Sequence, residues 1–351
     1  MKDSASLPSG IKDIMDKVTL PFAPFDLSEL STFRTQLMGV ATVMIIVCHA
    51  EASNVLMPQI LSRILMMGNY GVDIFLLLSG FGIFYSLEKS VSNDRVTRWS
   101  WYRRRLQRIF IPYLIVYIPY CIILMLLGKY STVDSLMCLT TLEFWLYHRG
   151  AWYVSLIIIL YLVAPTLFRM LNGGRCRYVT FSIVGVIMLL CNIAFDVDKN
   201  APADNILFSL SRVPSFVVGM AFGKESREGK TIPVLWLIVL AFLFVAFFRY
   251  VHATIWMLIP LVTYLSVLAV KLIARNNWAE KSLCLLGKIS LESYLTNITI
   301  NGLLIALIPA FMASSLFYGR WLEYGVVVVM GIVVAYLTYI VSHRIERMIK
   351  I

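Results

Sequence analysis

Residues 34–50 read R-T-Q-L-M-G-V-A-T-V-M-I-I-V-C-H-A, and residues 71–84 read G-V-D-I-F-L-L-L-S-G-F-G-I-F. Both belong to apolar stretches of the kind that crosses a membrane as a helix, yet the first carries His49 next to its end and the second carries Asp73 near its start. Ionisable side chains are costly in apolar segments, so they indicate chemistry or a polar partner. The two stretches therefore predict neighbouring membrane helices with a functional site.

The composition of the whole chain is that of a polytopic membrane protein. Of the 351 residues, 59% are hydrophobic and only 15% are charged, which is too little polar surface for a soluble globule. Apolar runs of about 20 residues recur along the chain, and each can cross about 30 Å of hydrocarbon as a helix. The sequence predicts one all-α domain, a polytopic integral membrane helical bundle at residues 34–351, after a polar cytoplasmic lead-in at residues 1–33.

Ten apolar runs are candidates for membrane spans. They lie at about residues 36–50, 70–88, 109–127, 151–171, 178–195, 206–222, 232–248, 253–272, 284–309 and 322–342. With a cytoplasmic N-terminus, this arrangement places 23 Lys and Arg residues on the cytoplasmic side and six on the other side. Because Lys and Arg gather in cytoplasmic loops, the count favours ten spans with both termini inside. The segment at 134–147 is then a short re-entrant or interfacial segment.

No metal site is predicted. The six cysteines have no paired spacing typical of zinc or redox sites. The four histidines likewise lack ligand spacing; they are His49, His148, His252 and His343.

In this topology His49 and Asp73 lie at the same outer depth of the first two spans. A carboxylate that orients an imidazole makes a general base, which can take a proton from a hydroxyl. The alternative is that His49 faces water at the interface and that Asp73 caps the second helix. We take both as candidate catalytic residues, since ionisable groups at membrane depth often mark functional sites.

The densest basic run of the chain lies at residues 89–108, at the inner ends of spans two and three. Its core is W-S-W-Y-R-R-R-L-Q-R at residues 99–108. Arginines bind phosphates and aromatic rings stack on nucleotide bases, which predicts binding of a cytoplasmic phosphorylated donor. The alternative interpretation is a topology signal that also contacts anionic lipids.

Other polar or aromatic residues lie in or beside the spans. Arg212, followed by Pro214, stands near the outer end of a span and either snorkels to the interface or faces a partner in a cavity. Glu292 lies one turn after Lys288 and is predicted to pair with it. Trp152 stands at the outer interface, where aromatic belts are expected.

Several stretches resemble the acyltransferase 3 family, membrane O-acyltransferases that modify bacterial surface sugars. They are the first span with its terminal histidine, G-V-D-I-F-L-L-L-S-G-F at 71–81, R-R-R-L-Q-R-I-F-I-P-Y at 103–113, W-Y-V-S-L-I-I-I-L-Y-L-V-A-P at 152–165 and L-G-K-I-S-L-E-S-Y-L at 286–295. The resemblance implies about ten helices in a bacterial inner membrane. It also implies acyl transfer from cytoplasmic acyl-CoA to a hydroxyl, with His49 as the base and the basic loop facing CoA.

Three positions differ from the pattern of the family. An arginine typically stands eleven residues before the histidine, where this chain has Met38, with Arg34 one turn earlier. The glutamate that many members carry five residues after the tryptophan is Ile157 here. Shorter members similar to acetyl-CoA-dependent sugar acetyltransferases also lack that glutamate. The usual histidine near the end of the L-G-K-I-S motif is Asn297.

We therefore predict a membrane O-acyltransferase that moves an acyl group, most simply acetyl, to a cell-surface polysaccharide or glycolipid precursor. The donor substrate is acyl-CoA, and we expect contacts with membrane lipids and a glycan acceptor but no permanently bound cofactor, metal or nucleic acid. The candidate site residues are His49 and Asp73 for catalysis, Arg103, Arg104, Arg105 and Arg108 for the donor, and Arg212, Trp152 and Tyr161 for substrate. Two other functions remain open: a transporter of a polysaccharide or small solute, and a non-catalytic scaffold in envelope assembly.

Overall fold

The computed structural model describes residues 23–53, 55, 57–92, 98–147, 149–195, 201–308 and 317–349. His148 and the lead-in as far as residue 22 lie outside the described residues.

The described chain is a helical bundle. Its helices are α1 (Glu29–Thr32), α2 (Arg34–Ala52), α3 (Gln59–Met66), α4 (Tyr70–Val91), α5 (Arg98–Leu126), α6 (Thr132–Leu139), α7 (Leu142–Tyr147), α8 (Trp152–Leu171), α9 (Cys176–Phe195), α10 (Ala201–Arg227), α11 (Val234–Phe247), α12 (Ile255–Ile273), α13 (Asn277–Lys288), α14 (Ser290–Leu307) and α15 (Phe317–Ile349). Two short strands, β1 (Phe25–Asp26) and β2 (Thr231–Ile232), pair antiparallel near the start of α11.

Seven of the described helical segments are long and apolar enough to cross a membrane. They contain α4, α5, α8, α9, α10, α12 and α15. The predicted fold class, an all-α polytopic membrane bundle, is therefore confirmed. The three other predicted spans coincide with α2, α11 and α14, which are helical but shorter or less apolar. The total of ten crossings stays a prediction.

Two boundaries differ from the sequence prediction. The predicted span 284–309 is divided, because α13 ends at Lys288 and α14 begins at Ser290. Helix α13 begins before the predicted span. Its start is capped by Asn276, whose side-chain oxygen accepts from the second and third backbone N–H groups of the helix at 3.0 and 3.2 Å. Between the predicted spans at 36–50 and 70–88, an additional helix, α3, forms after Pro58, which stands at its N-cap.

The segment at 134–147 forms α6 and α7, helices of 8 and 6 residues. Both are too short to cross a membrane, in agreement with the prediction. Ser131 and Asp134 form a capping box at the start of α6, with the Ser131 side chain accepting from Asp134 N at 3.1 Å. The hydrogen bonds from Ser131 hold the pKa of the Asp134 carboxyl below its usual value.

Helices α4 and α10 cross at very short distance through glycines. A Cβ on Gly80 would lie 2.1 Å from the carbonyl oxygen of Phe216, and one on Gly219 would lie 2.0 Å from that of Leu77. Only glycine permits backbones to approach so closely. This crossing places the two candidate residues Asp73 and Arg212 on facing helices.

Candidate active site

His49 is held by a partner on a distant helix. It lies in the last turn of α2 and is partly buried. Its Nδ1 is 2.6 Å from Oδ1 of Asn297 on α14. Because an amide oxygen can only accept, Nδ1 carries the proton and Nε2 presents its lone pair. The imidazole is therefore held in the tautomer that a general base requires.

Polar side chains continue from Asn297 into the bundle. Asn297 is only 3% exposed, and it lines a narrow internal gap with Thr42, Ser293 and Tyr294. The backbone N–H of Tyr153, on α8, donates to the hydroxyl of Tyr294 at 3.3 Å. The structure thus joins α2, α14 and α8 through hydrogen-bonding groups rather than through apolar packing alone.

Asp73 is engaged by α10 rather than by His49. Arg212 Nη1 donates to Oδ2 of Asp73, and the Ser215 hydroxyl donates to Oδ1 at 3.1 Å. The side chains of Asp73 and Arg212 are 0% and 5% exposed, so this ion pair is fully inside the bundle. The orienting contact expected between His49 and Asp73 is made instead by Asn297. Asp73 therefore joins α4 to α10 through Arg212 and Ser215.

Arg212 and Trp152 are brought together, as two of the three predicted substrate contacts. The guanidinium carbon of Arg212 lies 6.0 Å from the Trp152 ring centroid and 5.4 Å from that of Phe208. The buried Nε of Arg212 has no hydrogen-bond partner among the described residues. Arg212 therefore does not snorkel to the interface, since Asp73 and the two rings hold it inside the bundle.

A cavity of about 500 Å³ lies at the opposite end of the bundle, between α4 and α5. We call this the basic end, defined by Arg103, Arg104, Arg105 and Arg108. The side chains that line the cavity are Tyr85, Ser86, Lys89, Ser90, Trp101, Arg104 and Arg105, beside Gly82. Among the described residues this lining contains three cations and two aromatic rings but no carboxylate, which suits a phosphorylated ligand.

Arg34 reaches the same region from α2. A Cβ on Gly82 would lie 2.9, 3.2 and 3.3 Å from Nη2, Cζ and Nε of Arg34, so the guanidinium lies flat against this glycine. Its Nη2 donates to the carbonyl oxygen of Leu78 at 3.4 Å. The charge of Arg108 and the hydroxyl of Tyr161 act on it, and its own charge acts on Arg105. Arg34 was not among the predicted site residues. Its place in the sequence, one turn before Met38, where the family typically has an arginine, could have indicated it.

The remaining predicted residues separate into two positions. Tyr161 lies with the arginines of the basic end and not with Trp152, although both are on α8. Arg108 lines a second cavity at this end, whereas Arg103 is exposed and lines neither cavity. Among the described residues, no three His, Cys, Asp or Glu side chains are grouped so that they could hold a metal ion.

The comparisons with known proteins give a family. The family model described as an acyltransferase domain, of the acyltransferase 3 type, matches residues 37–340, which is most of the chain. Searches of curated proteins and of solved structures found no significant match. The matched range includes His49, Asn297, the Asp73–Arg212 pair and the arginines of the basic end. The chain therefore belongs to the acyltransferase 3 family, as its sequence motifs predicted.

Proposed function

We propose that this protein transfers an acyl group, acetyl in the simplest case, from cytoplasmic acyl-CoA to a hydroxyl of a cell-surface polysaccharide or glycolipid precursor. The observation that carries the proposal is the partly buried hydrogen bond from His49 to Asn297 in a chain of an acyltransferase family. A membrane helix does not need a histidine at its end for stability, so a histidine held there in one tautomer indicates a role in proton transfer.

The donor binds at the basic end in this proposal. Arg34, Arg104 and Arg105 lie beside the 500 Å³ cavity, and no ion pair links any of them to a carboxylate in the described residues. Like charges held close together in a bundle of low dielectric repel strongly, and a bound polyanion relieves that repulsion. The phosphates of acyl-CoA supply such an anion, and Trp101 supplies a flat ring beside it.

His49 is the general base of the transfer. Its Nε2 removes the proton of the acceptor hydroxyl as the hydroxyl oxygen forms a bond to the thioester carbonyl carbon. The carbon–sulfur bond then breaks, and CoA leaves with the proton returned to its sulfur. Asn297 keeps the proton on Nδ1 and stabilises the imidazolium that forms, which is the role assigned to Asp73 on sequence grounds.

The acyl group has to pass through the bundle, because the donor cavity and His49 lie at opposite ends. Hydroxyls mark the seam between them: Ser79 Oγ lies 3.3 Å from the Tyr153 hydroxyl, and Tyr153 N–H donates to Tyr294. The gap beside Asn297 has no room for a water molecule. Passage of the acyl arm through this gap therefore requires α14 to move away from α2 and α4, the helices that line the gap with it.

The same proposal fixes the orientation of the protein. The basic end faces the cytoplasm of a bacterial inner membrane, with both termini on that side, and His49 faces the acceptor on the outer side. The excess of Lys and Arg in the loops on the basic side supports this orientation.

The experiment uses purified full-length protein in detergent with acetyl-CoA labelled on the acetyl group. We expect loss of label from acetyl-CoA to an added hydroxyl acceptor or to water, and at least about a hundredfold slower loss for His49→Ala. The matched control is His252→Ala, a second partly buried histidine, which should retain the wild-type rate. If the native protein neither binds the donor nor removes its acyl group, the proposal that it is an enzyme is refuted. If His49→Ala has the same rate as the native protein, only the role of His49 is refuted.

A further inference from the structure

A second cavity at the basic end, of about 440 Å³, lies between α5, α14 and α15. Its charged lining differs from that of the first cavity. The cations Arg108, Lys288 and Arg347 are joined by the carboxylates Glu292 and Glu346, whereas no carboxylate of the described residues lines the first cavity. The two cavities therefore have different ligand preferences: the first suits a phosphate chain, and the second suits a group that both accepts and donates hydrogen bonds.

The charges of the second cavity are arranged by depth. Glu292 is only 6% exposed, whereas Arg108, Lys288 and Arg347 are exposed. Cations thus form the rim and a carboxylate lies at the floor. A ligand that fits this cavity has a hydrogen-bond donor at the end that reaches the floor and an anionic group at the end that lies at the rim.

Glu292 has no counter-charge in the described structure. The pairing with Lys288 that its spacing predicted is absent from the ion pairs of the described residues. No other side chain of the described residues hydrogen-bonds its carboxylate. The donor to this carboxylate is the backbone N–H of Glu292 itself. A buried carboxylate with so little compensation for its desolvation is unfavourable. The cavity is therefore completed by a ligand that donates N–H or O–H groups to Glu292.

Two aromatic side chains lie in the wall of the cavity. The rings of Tyr339 and His343 lie 4.2 Å apart at 38° to one another, and both residues line the cavity. Aromatic faces of this kind stack on nucleotide bases. A volume of 440 Å³ holds a base together with its sugar.

We propose that this cavity binds the amino-bearing base of a purine nucleotide, and that the nucleotide is the end of the acyl-CoA donor remote from the acyl group. The exocyclic amine donates to Glu292, the base lies against Tyr339, and the phosphates meet Arg108 at the rim. The inference rests on the proposed function, because it assigns the donor of that reaction as the ligand.

The connection between the cavities supports a single donor that spans both. A narrow gap of about 20 Å³ lies between them, lined by Arg104, Gln107, Arg108 and Glu346. Arg104 also lines the first cavity and Arg108 the second. A donor with its base near Glu292 can therefore place its phosphates along these two arginines and direct its acyl arm toward Arg34 and the interior.

The test compares two probes that differ in one functional group. Adenosine 3′,5′-bisphosphate has an exocyclic amine, whereas inosine 3′,5′-bisphosphate has a carbonyl oxygen at that position, which a carboxylate repels. With full-length protein in detergent, calorimetry should give about tenfold tighter binding of the adenosine compound, as expected for a hydrogen bond to a charged group. Glu292→Gln should reduce this preference to about twofold or less, since a neutral amide both accepts and donates.

Glu228→Gln is the matched control. Glu228 is a carboxylate at the same end of the bundle, and ion pairs with Lys224 and Lys230 lower its pKa to about 2. The preference for the adenosine compound should be unchanged in this variant.

The outcomes separate the inference from the proposed function. The inference is overturned if the wild-type protein binds both compounds equally, a result that needs no variant. It is also overturned if Glu292→Gln keeps the full preference for the adenosine compound. Either result counts even if the protein turns over acetyl-CoA. Binding with the expected preference, together with no acyl loss from acetyl-CoA, supports the nucleotide site and refutes the proposed reaction.

Discussion

Asp73→Asn tests whether the buried ion pair between α4 and α10 organises the bundle or belongs to the chemistry. The substitution preserves the shape of the side chain and removes its charge. Arg212 would then remain inside the bundle, 5% exposed, with no counter-charge and with its Nε already unpaired among the described residues. Removing one partner of a buried ion pair typically destabilises a protein by about 3–5 kcal/mol. We expect a loss in this range.

An exposed ion pair between the same two helices provides the control. Arg227 and Glu88 join α10 to α4 near the basic end, with side chains 37% and 24% exposed. Exposed pairs contribute about 0–1 kcal/mol, so Glu88→Gln should lower the free energy of unfolding by no more than that. The two variants remove one carboxylate charge each from the same helix and differ in burial.

Unfolding by denaturant in mixed micelles gives both free energies, and acyl transfer per mole of folded protein gives the second readout. If Asp73 organises the helices, folded Asp73→Asn protein keeps an activity within about threefold of the wild type, because His49 and Asn297 are not altered. A loss of stability no larger than that of Glu88→Gln would refute the structural argument. A loss of activity of about a hundredfold in folded protein would return Asp73 to the catalytic residues.

Three further predictions concern the helix crossing, the base and the donor cavity. Gly219→Ala should destabilise the protein by about 1–3 kcal/mol, because the new Cβ would lie 2.0 Å from a carbonyl oxygen of α4. The control Gly185→Ala, where no atom lies within 4 Å of the new Cβ, should stabilise the protein by about 0.5–1 kcal/mol. Equal shifts in melting temperature for the two variants would contradict the packing argument. Asn297→Ala should lower kcat about tenfold or more without changing KM for acetyl-CoA, and Asn297→Asp should recover part of the lost kcat. An unchanged kcat of Asn297→Ala in steady-state kinetics would show that Asn297 has no role in the reaction. Gly82→Ala should displace Arg34 and raise KM for acetyl-CoA about tenfold at nearly constant kcat; a wild-type KM would show that Arg34 does not contact the donor.

The helices could be predicted from the sequence because hydropathy is a local property. Each predicted span coincides with a helix, and the short segment at 134–147 forms only α6 and α7. The motifs of the family were also visible as contiguous stretches, and the family model confirms them over residues 37–340. The basic run was likewise a contiguous signal, and it led directly to Arg104 and Arg105 at the first cavity.

The partners of the polar residues could not be predicted in the same way. Hydropathy gives the depth of a residue in the membrane, but not the direction in which it points around the helix axis. His49 and Asn297 are separated by 248 positions, and Asp73 and Arg212 by 139. Depth placed His49 beside Asp73, whereas the crossing of α4 with α10 turned Asp73 toward Arg212.

The error at Glu292 has the same origin as the error in the boundary of the span at 284–309. A spacing of four residues predicts an ion pair only within one continuous helix. Lys288 is the last residue of α13, and Glu292 lies in the first turn of α14. The interruption at Ile289 therefore underlies both differences: α14 starts later than hydropathy indicates, and Glu292 has no lysine partner among the described residues. The start of this predicted span is thus shifted by six residues, and Glu292 is a buried carboxylate without a counter-charge among the described residues, facing a cavity large enough for a nucleotide base.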